Sequence, residues 1–438
     1  MRAKFFDIIP MSRFDREIKT RMVIIGGGVG GLGLAINALR RGIDVTLLDN
    51  QIPGTTHAAT GILDARPDYL IKDVDLVKAS SLEVDNWKNL LGSFSHIIRP
   101  LSFYMPLGKS SPHGLNRFSA LMNYFEKLAI RRTRGLPHTC KVIPIHQCEV
   151  SEPNLLKNHF THALKFWLWT VNPDELLSLM RLECSSSLFR LETVTKINGY
   201  TVKNGMIQEV FAENGKETLK VCSDRKSLIV VNCCGPWIND PLKELGIKIP
   251  IELRLGIQIK VPGYHIQSGI LSFTQDQKYT ILLQQKDYLQ VGPTNTLFDG
   301  PPRLITKEEG ESAISYTRNV LENVLCFDKL PQLSVLKYGW RVRPLGMTET
   351  DRPIIWHHAK EGVDNLYTLL PGKMALGLLA GRELVERIAK DGFVSTEPQF
   401  SIHKTYSMDG HSQNSLFLEF NRLKSILLTG WNILKPHR

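Results

Sequence analysis

Three glycines and one acid carry the first chemical signal in this sequence. Gly26, Gly28 and Gly31 stand in the spacing G-x-G-x-x-G within Val23-Ile24-Ile25-Gly26-Gly27-Gly28-Val29-Gly30-Gly31. The run reads as an apolar strand, a tight turn and a helix start. The first glycine makes the turn, the second lets backbone approach a pyrophosphate, and the third lets the helix pack on its strand. Free N–H groups at the helix start, around Val29 and Gly30, would face the phosphates at the positive end of the helix dipole. The helix continues through Leu32, Leu34, Ala35, Ile36, Ala38 and Leu39, and Gly42 stops it. A second apolar strand, Ile43 to Leu48, ends in Asp49 and Asn50. Asp49 falls roughly twenty residues past the glycines, where an acid grips a ribose 2′-OH. A glycine-rich turn in an ordinary α/β protein explains the spacing alone but not its strand, helix and acid in register. With no arginine next to Asp49 in sequence, a 2′-phosphate is not expected.

A run of small residues follows, Thr55-Thr56-His57-Ala58-Ala59-Thr60-Gly61. Small side chains suit the close approach of a planar cofactor, but Thr55 or Thr56 is also a fair helix N-cap, and these residues alone leave both readings open.

The elements that must position these groups alternate between helical and strand periods. Residues 76–100 read as helix, 99–107 as a short strand and 116–131 as helix again. Residues 153–170 read as irregular, and Asn172-Pro173-Asp174 opens a helix through Leu177 and Met180. Strands follow from Arg190 to Asn232, with hairpin turns at Lys203-Asn204-Gly205 and Glu213-Asn214-Gly215. The buried strand Leu228 to Asn232 runs into Cys233-Cys234-Gly235-Pro236-Trp237. Strands resume over 251–261 and 279–292, a helix over 306–325, and a strand over 366–370 that meets Pro371-Gly372-Lys373 and a last apolar helix to about Ala389. This is an α/β (α+β) chain whose dinucleotide unit is assembled from separated pieces. Ligands bind at the carboxyl ends of strands in such sheets, and Cys234-Gly235 and Pro371-Gly372-Lys373 both sit there.

A length of 438 residues allows two or more domains, and a hydrophobic fraction of 42% places the chain among globular proteins. No apolar run is long enough to span a bilayer. Seven scattered cysteines without a C-x-x-C pair point to a reducing, cytoplasmic setting and give no metal signal. Met1 to Arg21 mixes acids and bases and lacks the apolar centre of a signal peptide. The net charge of +11 favours an anionic contact: a membrane surface, a nucleic acid or an anionic substrate. No nucleic-acid module is present, so nucleic acid is not an expected partner.

In order, these pieces resemble the FAD-dependent oxidoreductases of the D-amino-acid oxidase type, and within them the FAD-linked glycerol-3-phosphate dehydrogenases, over roughly residues 22–392. The glycine loop resembles the family's FAD pyrophosphate loop and Asp49 its ribose acid. Thr55, Thr56, Ala59, Thr60 and Gly61 resemble the Ala-Thr-Ser-Ser segment beside the isoalloxazine. Val194 resembles the residue whose backbone meets the adenine. Asn232-Cys233-Cys234-Gly235-Pro236-Trp237 is similar to Asn-Ala-Thr-Gly-Pro-Trp, Gly292-Pro293-Thr294-Asn295-Thr296 to Gly-Thr-Thr-Asp-Thr, and Trp340-Arg341-Val342-Arg343-Pro344-Leu345 to Ser-Gly-Val-Arg-Pro-Leu. Gly372-Lys373, with Met374 and Ala375, is similar to the Gly-Gly-Lys opening of the last FAD-contacting helix. The resemblance implies a Rossmann-like FAD-binding domain of glutathione-reductase type (22–86, 171–241 and 340–395) interleaved with a mixed-sheet substrate or cap domain (87–170 and 242–339), and a C-terminal tail (396–438).

The departures bear on substrate rather than cofactor. Leu63-Asp64-Ala65 stands for His-Gly-Gly, and Gly256-Ile257-Gln258 for a Gly-Ser-His with a presumed catalytic histidine. The family's second arginine falls near His358, with Arg352 close by, and Met374-Ala375-Leu376-Gly377 replaces Thr-Thr-Tyr-Arg. A second resemblance joins Thr55 to Gly61 with the Thr-Trp-His-Ala-Ala-Gly of sarcosine and dimethylglycine dehydrogenases, where the histidine binds flavin covalently. The match is one residue out of register, so His57 is expected beside a non-covalent flavin.

The resemblance implies that Arg343 grips a carboxylate or phosphate of a small anionic substrate; an ion pair with Glu349 or Asp351 is the structural alternative. Lys373 would stabilise negative charge on the reduced ring, or else be a solvated lysine. With Gln258 in place of histidine, His57 is the remaining candidate for a base. The expected reaction is hydride transfer to FAD, with electrons passed to quinone or another carrier. Oxidation of an amino acid, an N-methyl amine or a 2-hydroxy acid is the alternative, and a flavin-binding scaffold is the non-enzymatic one.

In the tail, Leu416, Phe420, Leu423, Leu427, Trp431 and Leu434 share one helical face, with Arg422, Ser425, Thr429 and Asn432 opposite. That pattern suits an anionic membrane surface, such as the inner face of a cytoplasmic membrane, or a helix docked on the protein itself. If it binds membrane, deleting residues 414–438 moves the protein from pelleted liposomes to the supernatant, and high salt weakens binding without erasing it. Loss of thermal stability on truncation, with no liposome binding by the full chain, would assign the tail to the core.

Overall fold

The computed structural model describes residues 14–63, 73–107, 141–148, 152, 155, 160–224, 227–273, 279–346 and 351–394. The helix expected over 116–131 and the amphipathic tail lie outside these residues. In chain order the elements are β1 (Arg16–Lys19), β2 (Met22–Ile25), α1 (Val29–Leu39), β3 (Val45–Asp49), α2 (Val74–Leu91), β4 (Arg99–Leu107), β5 (Lys141–Pro144), β6 (His162–Thr170) and α3 (Pro173–Glu183). Then come β7 (Phe189–Thr193), β8 (Lys196–Lys203), β9 (Met206–Glu213), β10 (Thr218–Cys222), β11 (Ile229–Asn232), β12 (Ile251–Pro262), β13 (Gly269–Phe273), β14 (Tyr279–Gln284) and β15 (Tyr288–Gly292). The chain continues through β16 (Thr296–Phe298), α4 (Lys307–Val324), β17 (Ser334–Pro344), β18 (Ile354–His357), β19 (Leu366–Leu370) and α5 (Gly377–Lys390). One helical turn, Ile145–Cys148, follows β5.

β2, β11 and β19 are short apolar runs without polar alternation, because both faces of their sheet are covered. Among the described residues they form a six-stranded sheet in the order β18-β19-β11-β2-β3-β7. It is parallel except at β18. On one face α1 and α5 pack closely, together with Trp87 of α2 and Leu176 and Met180 of α3. The contact between α1 and α5 is backbone to backbone: a Cβ at Gly33 would overlap the Gly377 carbonyl, and one at Gly381 would overlap Gly33.

The other face is covered by a four-stranded sheet, β1-β10-β9-β8. Its β8–β9 hairpin turns at Asn204 and Gly205, both at positive φ (54° and 75°), as the Asn-Gly signal predicts. β1 pairs parallel to β10. Its mixed charges hide a single core contact, Ile18, which is fully buried. Buried Asn365 ties the two sheets: it accepts from the Ile207 N–H (2.8 Å) and donates to the carbonyls of Ile207 (2.8 Å) and Leu228 (2.6 Å).

The third sheet has nine strands among the described residues, in the order β16-β12-β15-β14-β13-β4-β6-β5, with β17 paired to β12. β6 corrects the irregular reading of residues 153–170. His162–Thr170 pairs antiparallel with β4 along its whole length, Arg99 opposite Thr170 and Leu107 opposite His162. Its partner is distant in sequence, so local signals did not reveal the strand. In β12, Leu253, Leu255, Ile257 and Ile259 point into a core with Trp340 and Leu321 of α4. The alternate residues Glu252, Arg254, Gly256 and Gln258 share the opposite face with Arg343, Arg341, Gly339 and Lys337 of β17, their register partners. A capping box at Thr306 and Glu309 starts α4.

Asn365→Ala leaves three buried backbone groups unpaired. We expect a loss of about 2–3 kcal/mol in chemical denaturation; an unchanged midpoint would mean that water replaces the amide.

Candidate functional site

Turns at the carboxyl ends of β2, β3, β7, β11 and β19 converge on one cleft of about 900 Å³, roofed by the polar face of β12 and β17. This is where an open α/β sheet binds its ligand, and the volume suits a large extended molecule.

Gly26, Gly28, Val29 and Gly30 line the middle of the cleft. Gly26 sits at φ 107°, and a Cβ there would lie 2.6 Å from the Cys233 carbonyl oxygen. Gly28 is the N-cap of α1 and supplies no side-chain cap. The Val29 N–H reaches the Thr56 hydroxyl at 3.3 Å, and a Cβ at Gly28 would approach that hydroxyl to 3.3 Å. Gly31 does not line the cleft; its Cβ would overlap the Gly26 carbonyl, so it serves the packing of α1 on β2.

Asp49, Asn50 and Val194 line one end. The Val194 N–H donates to the Asp49 carbonyl (2.9 Å), and the Asn50 side chain accepts from the Ile52 N–H (3.0 Å). Arg181 of α3 stands 3.8 Å from the Asp49 carboxylate and also lines the cleft. The arginine absent from the sequence neighbourhood of Asp49 thus arrives from another element.

Buried Asn232 shapes the next turn, accepting from the Cys234 N–H (3.1 Å) and donating to the Ile238 carbonyl (2.6 Å). That turn brings Cys234, Gly235 and Trp237 to the wall. Burial pushes the Cys233 and Cys234 thiols well above their usual range, so both are neutral.

The run Thr55–Gly61 is a turn, and it lines the cleft throughout. It is also the joint with the nine-stranded sheet. The Thr55 hydroxyl donates to the Trp340 carbonyl (2.5 Å), and Gln258 Nε2 donates to the Ala58 carbonyl (2.5 Å). A Cβ at Gly339 would lie 2.7 Å from the Ala58 Cβ. His57 is partly buried, and its Nδ1 lies 2.5 Å from Oδ1 of Asp174 in the first turn of α3.

Arg341 and Arg343 line the roof of this region. Among the described residues no side chain pairs with the Arg343 guanidinium. Arg341 was missed as a site residue, although its i, i+2 spacing from Arg343 on a strand places both on one face. Arg352 is held by Asp73 (2.8 and 2.5 Å), and buried His358 bonds Thr368 (2.8 Å). Neither lines the cleft. Gly372, Lys373 and Met374 do, and the Lys373 N–H donates to the Asp351 carbonyl (3.1 Å). Ala375 lies behind them, buried, its carbonyl accepting from Trp87 Nε1 (2.8 Å).

These residues fit FAD. The N-terminus of α1, with a glycine at its N-cap, lines the cleft, as a pyrophosphate needs. An acid stands at one end. At the other, Asn295 presents a buried Oδ1 without a partner, the kind of group a bound molecule satisfies. No cluster of His, Cys, Asp and Glu among the described residues could hold a metal.

Comparison with known proteins agrees. The model of the DAO family, described as FAD dependent oxidoreductase, matches residues 21–387. A glycerol-3-phosphate dehydrogenase of Synechocystis sp. is 24% identical over 404 residues, 84% of this chain and 69% of that protein. A D-erythritol 1-phosphate dehydrogenase of Brucella abortus is 24% identical over 333 residues, 74% of this chain and 63% of that protein. Among solved structures, the glycerol-3-phosphate dehydrogenase from Bacillus halodurans complexed with FAD superposes with a TM-score of 0.63 at 15% identity, covering 87% of this chain and 66% of that one. L-proline dehydrogenase from P. horikoshii gives 0.60 at 21%, covering 86% and 94%. The chain thus spans about two thirds of the length of the dehydrogenases of phosphorylated substrates that it matches.

Gly28→Val puts a branched side chain between the Thr56 hydroxyl and the phosphate position. The purified variant is expected to be colourless where the wild type is yellow; a variant with full flavin absorbance would show that the backbone does not approach the pyrophosphate there.

Proposed function

The chain belongs to the DAO family of FAD-dependent oxidoreductases, and on that premise we propose that it oxidises a small anionic alcohol whose charged group is held by Arg343. The observation that carries this reading is the Arg343 guanidinium, which lines the cleft and has no side-chain partner among the described residues. A guanidinium is a bidentate partner for carboxylate or phosphate. Arg341, two residues away on the same face, adds a second positive charge. Two cations suit a phosphate monoester, and the two sequence relatives are dehydrogenases of phosphorylated polyols.

Bound FAD supplies the hydride acceptor. Lys373, in the turn after β19, adds positive charge to the same cleft, where the cofactor gains electrons. The flavin is expected to be bound non-covalently, because the match of Thr55 to Gly61 with the covalent pattern is one residue out of register. Electrons then pass to a quinone or another carrier. No helix among the described residues is long and apolar enough to cross a membrane. The net charge of +11 supports contact with an anionic surface on the cytoplasmic side.

Anaerobic screening for flavin bleaching with glycerol 3-phosphate, 2-hydroxy acids and N-methyl amino acids tests the substrate class. With the substrate found, Arg343→Ala removes a contact worth about 2–5 kcal/mol and is expected to lower kcat/KM by on the order of 10²-fold or more at unchanged FAD content. Arg343→Lys recovers only part. Normal reduction in Arg343→Ala, or loss of its FAD, would make the arginine structural; bleaching by amines alone would replace the alcohol.

A further inference from the structure

We propose that His57 and Asp174 form the proton-accepting dyad of the reaction, His57 taking the substrate hydroxyl proton and Asp174 acting as its positioning residue. This rests on the alcohol-oxidation reading. When an alcohol is oxidised, the C–H bond leaves as hydride with both electrons to FAD. The O–H bond gives up its proton, and its electron pair closes the carbonyl. The hydride acceptor does not remove that proton, so a base in the cleft must.

Of the acids that line the cleft, Asp49 lies beside Arg181, and Asp240, Glu244 and Asp351 border it too; a carboxylate is ordinarily a weaker base than an imidazole. Gln258 has no basic atom, and its amide is committed to the Ala58 carbonyl. His57 lines the cleft, and its ring is held from outside the Thr55–Gly61 turn by an acid on α3. A carboxylate can only accept, so Nδ1 carries the proton and donates it to Asp174 Oδ1. That leaves the Nε2 lone pair as the accepting atom, and the hydrogen bond fixes both tautomer and ring orientation.

The surroundings supply the charge balance. Lys337, Arg341 and Arg343 from β17, Arg181 from α3 and Lys373 from the turn after β19 are cations on the elements around His57. The neighbouring positions of β12, Gly256 and Gln258, are uncharged. Asp174 also acts on Lys337, whose ammonium burial destabilises while the Asp174 charge supports it, and on the phenol of Tyr288 in β15. One carboxylate therefore offsets the charge that appears on the imidazole when the proton arrives among cations.

The test measures stopped-flow flavin reduction in the FAD-loaded protein by sn-glycerol 3-phosphate and by L-lactate. A second readout is the affinity for inorganic phosphate, read from the flavin spectrum, and a third is the downfield proton NMR signal of a His–Asp hydrogen bond. Removing a general base is expected to slow reduction in His57→Gln by on the order of 10²-fold or more. FAD content and phosphate affinity should not change. His57→Ala regains rate with added imidazole. Asp174→Asn is slowed, Asp174→Glu recovers part of the loss, and the downfield signal disappears in both His57→Gln and Asp174→Asn. Reduction of His57→Gln at the wild-type rate, or a slowing matched by loss of phosphate affinity, overturns the dyad. A wild type reduced by amines and by neither alcohol overturns the oxidation reading, and the dyad with it.

Discussion

Backbone-to-backbone contact at glycine holds α1 in place, and the cleft depends on it. A Cβ at Gly31 would overlap the carbonyl of Gly26 in the preceding turn, and one at Gly33 or Gly381 would drive α1 and α5 apart. Side chains of any size are therefore excluded at both contacts, since interiors are packed at crystal density. Nine of the eleven residues of α1 are buried, which stops the helix from rolling. Its N-terminus is thereby fixed at the carboxyl edge of the parallel sheet. The anion site is a consequence of this packing, because the free N–H groups point wherever the helix axis is aimed.

The second constraint is the joint between the two large sheets. Thr55–Gly61 borders the cleft, yet its small side chains are also required by the strand above, where Gly339 faces Ala58 and Trp340 accepts from Thr55. Gln258 closes the joint through the Ala58 carbonyl. The alternation of β12 and β17 then divides the roof: odd residues of β12 build the apolar core, while on the opposite face Gly256, Gly339, Arg341 and Arg343 line the cleft. Residues at this joint therefore shape the cleft wall and hold the two sheets together at once.

Charge is unevenly placed along the cleft. Asp49 marks one end, with Arg181 beside it, and Arg341, Arg343 and Lys373 stand among the residues lining the rest. Cations in a low-dielectric cleft attract and orient an anion over a longer distance than they would in water. Arg352, at a similar place in sequence, stands outside the cleft, paired with Asp73 at the start of α2.

The sequence by itself determined what is local. The glycine spacing, the strand before it, the helix after it and the acid beyond all lie within about thirty residues, the span of one βαβ unit, so the unit was legible without tertiary information. The Asn204-Gly205 hairpin and the Asn172 cap of α3 were legible for the same reason. The tertiary structure decided whatever needed a distant partner. β6 is a strand because β4 pairs with it, and β1 because β10 does. Ala375 stands behind the cleft wall, although its motif places it in that wall. Arg181 reaches Asp49, and Asp174 reaches His57, from a helix more than a hundred residues further along the chain. No local pattern encodes such a contact, since it exists only once the sheet has closed and α3 has docked against α1.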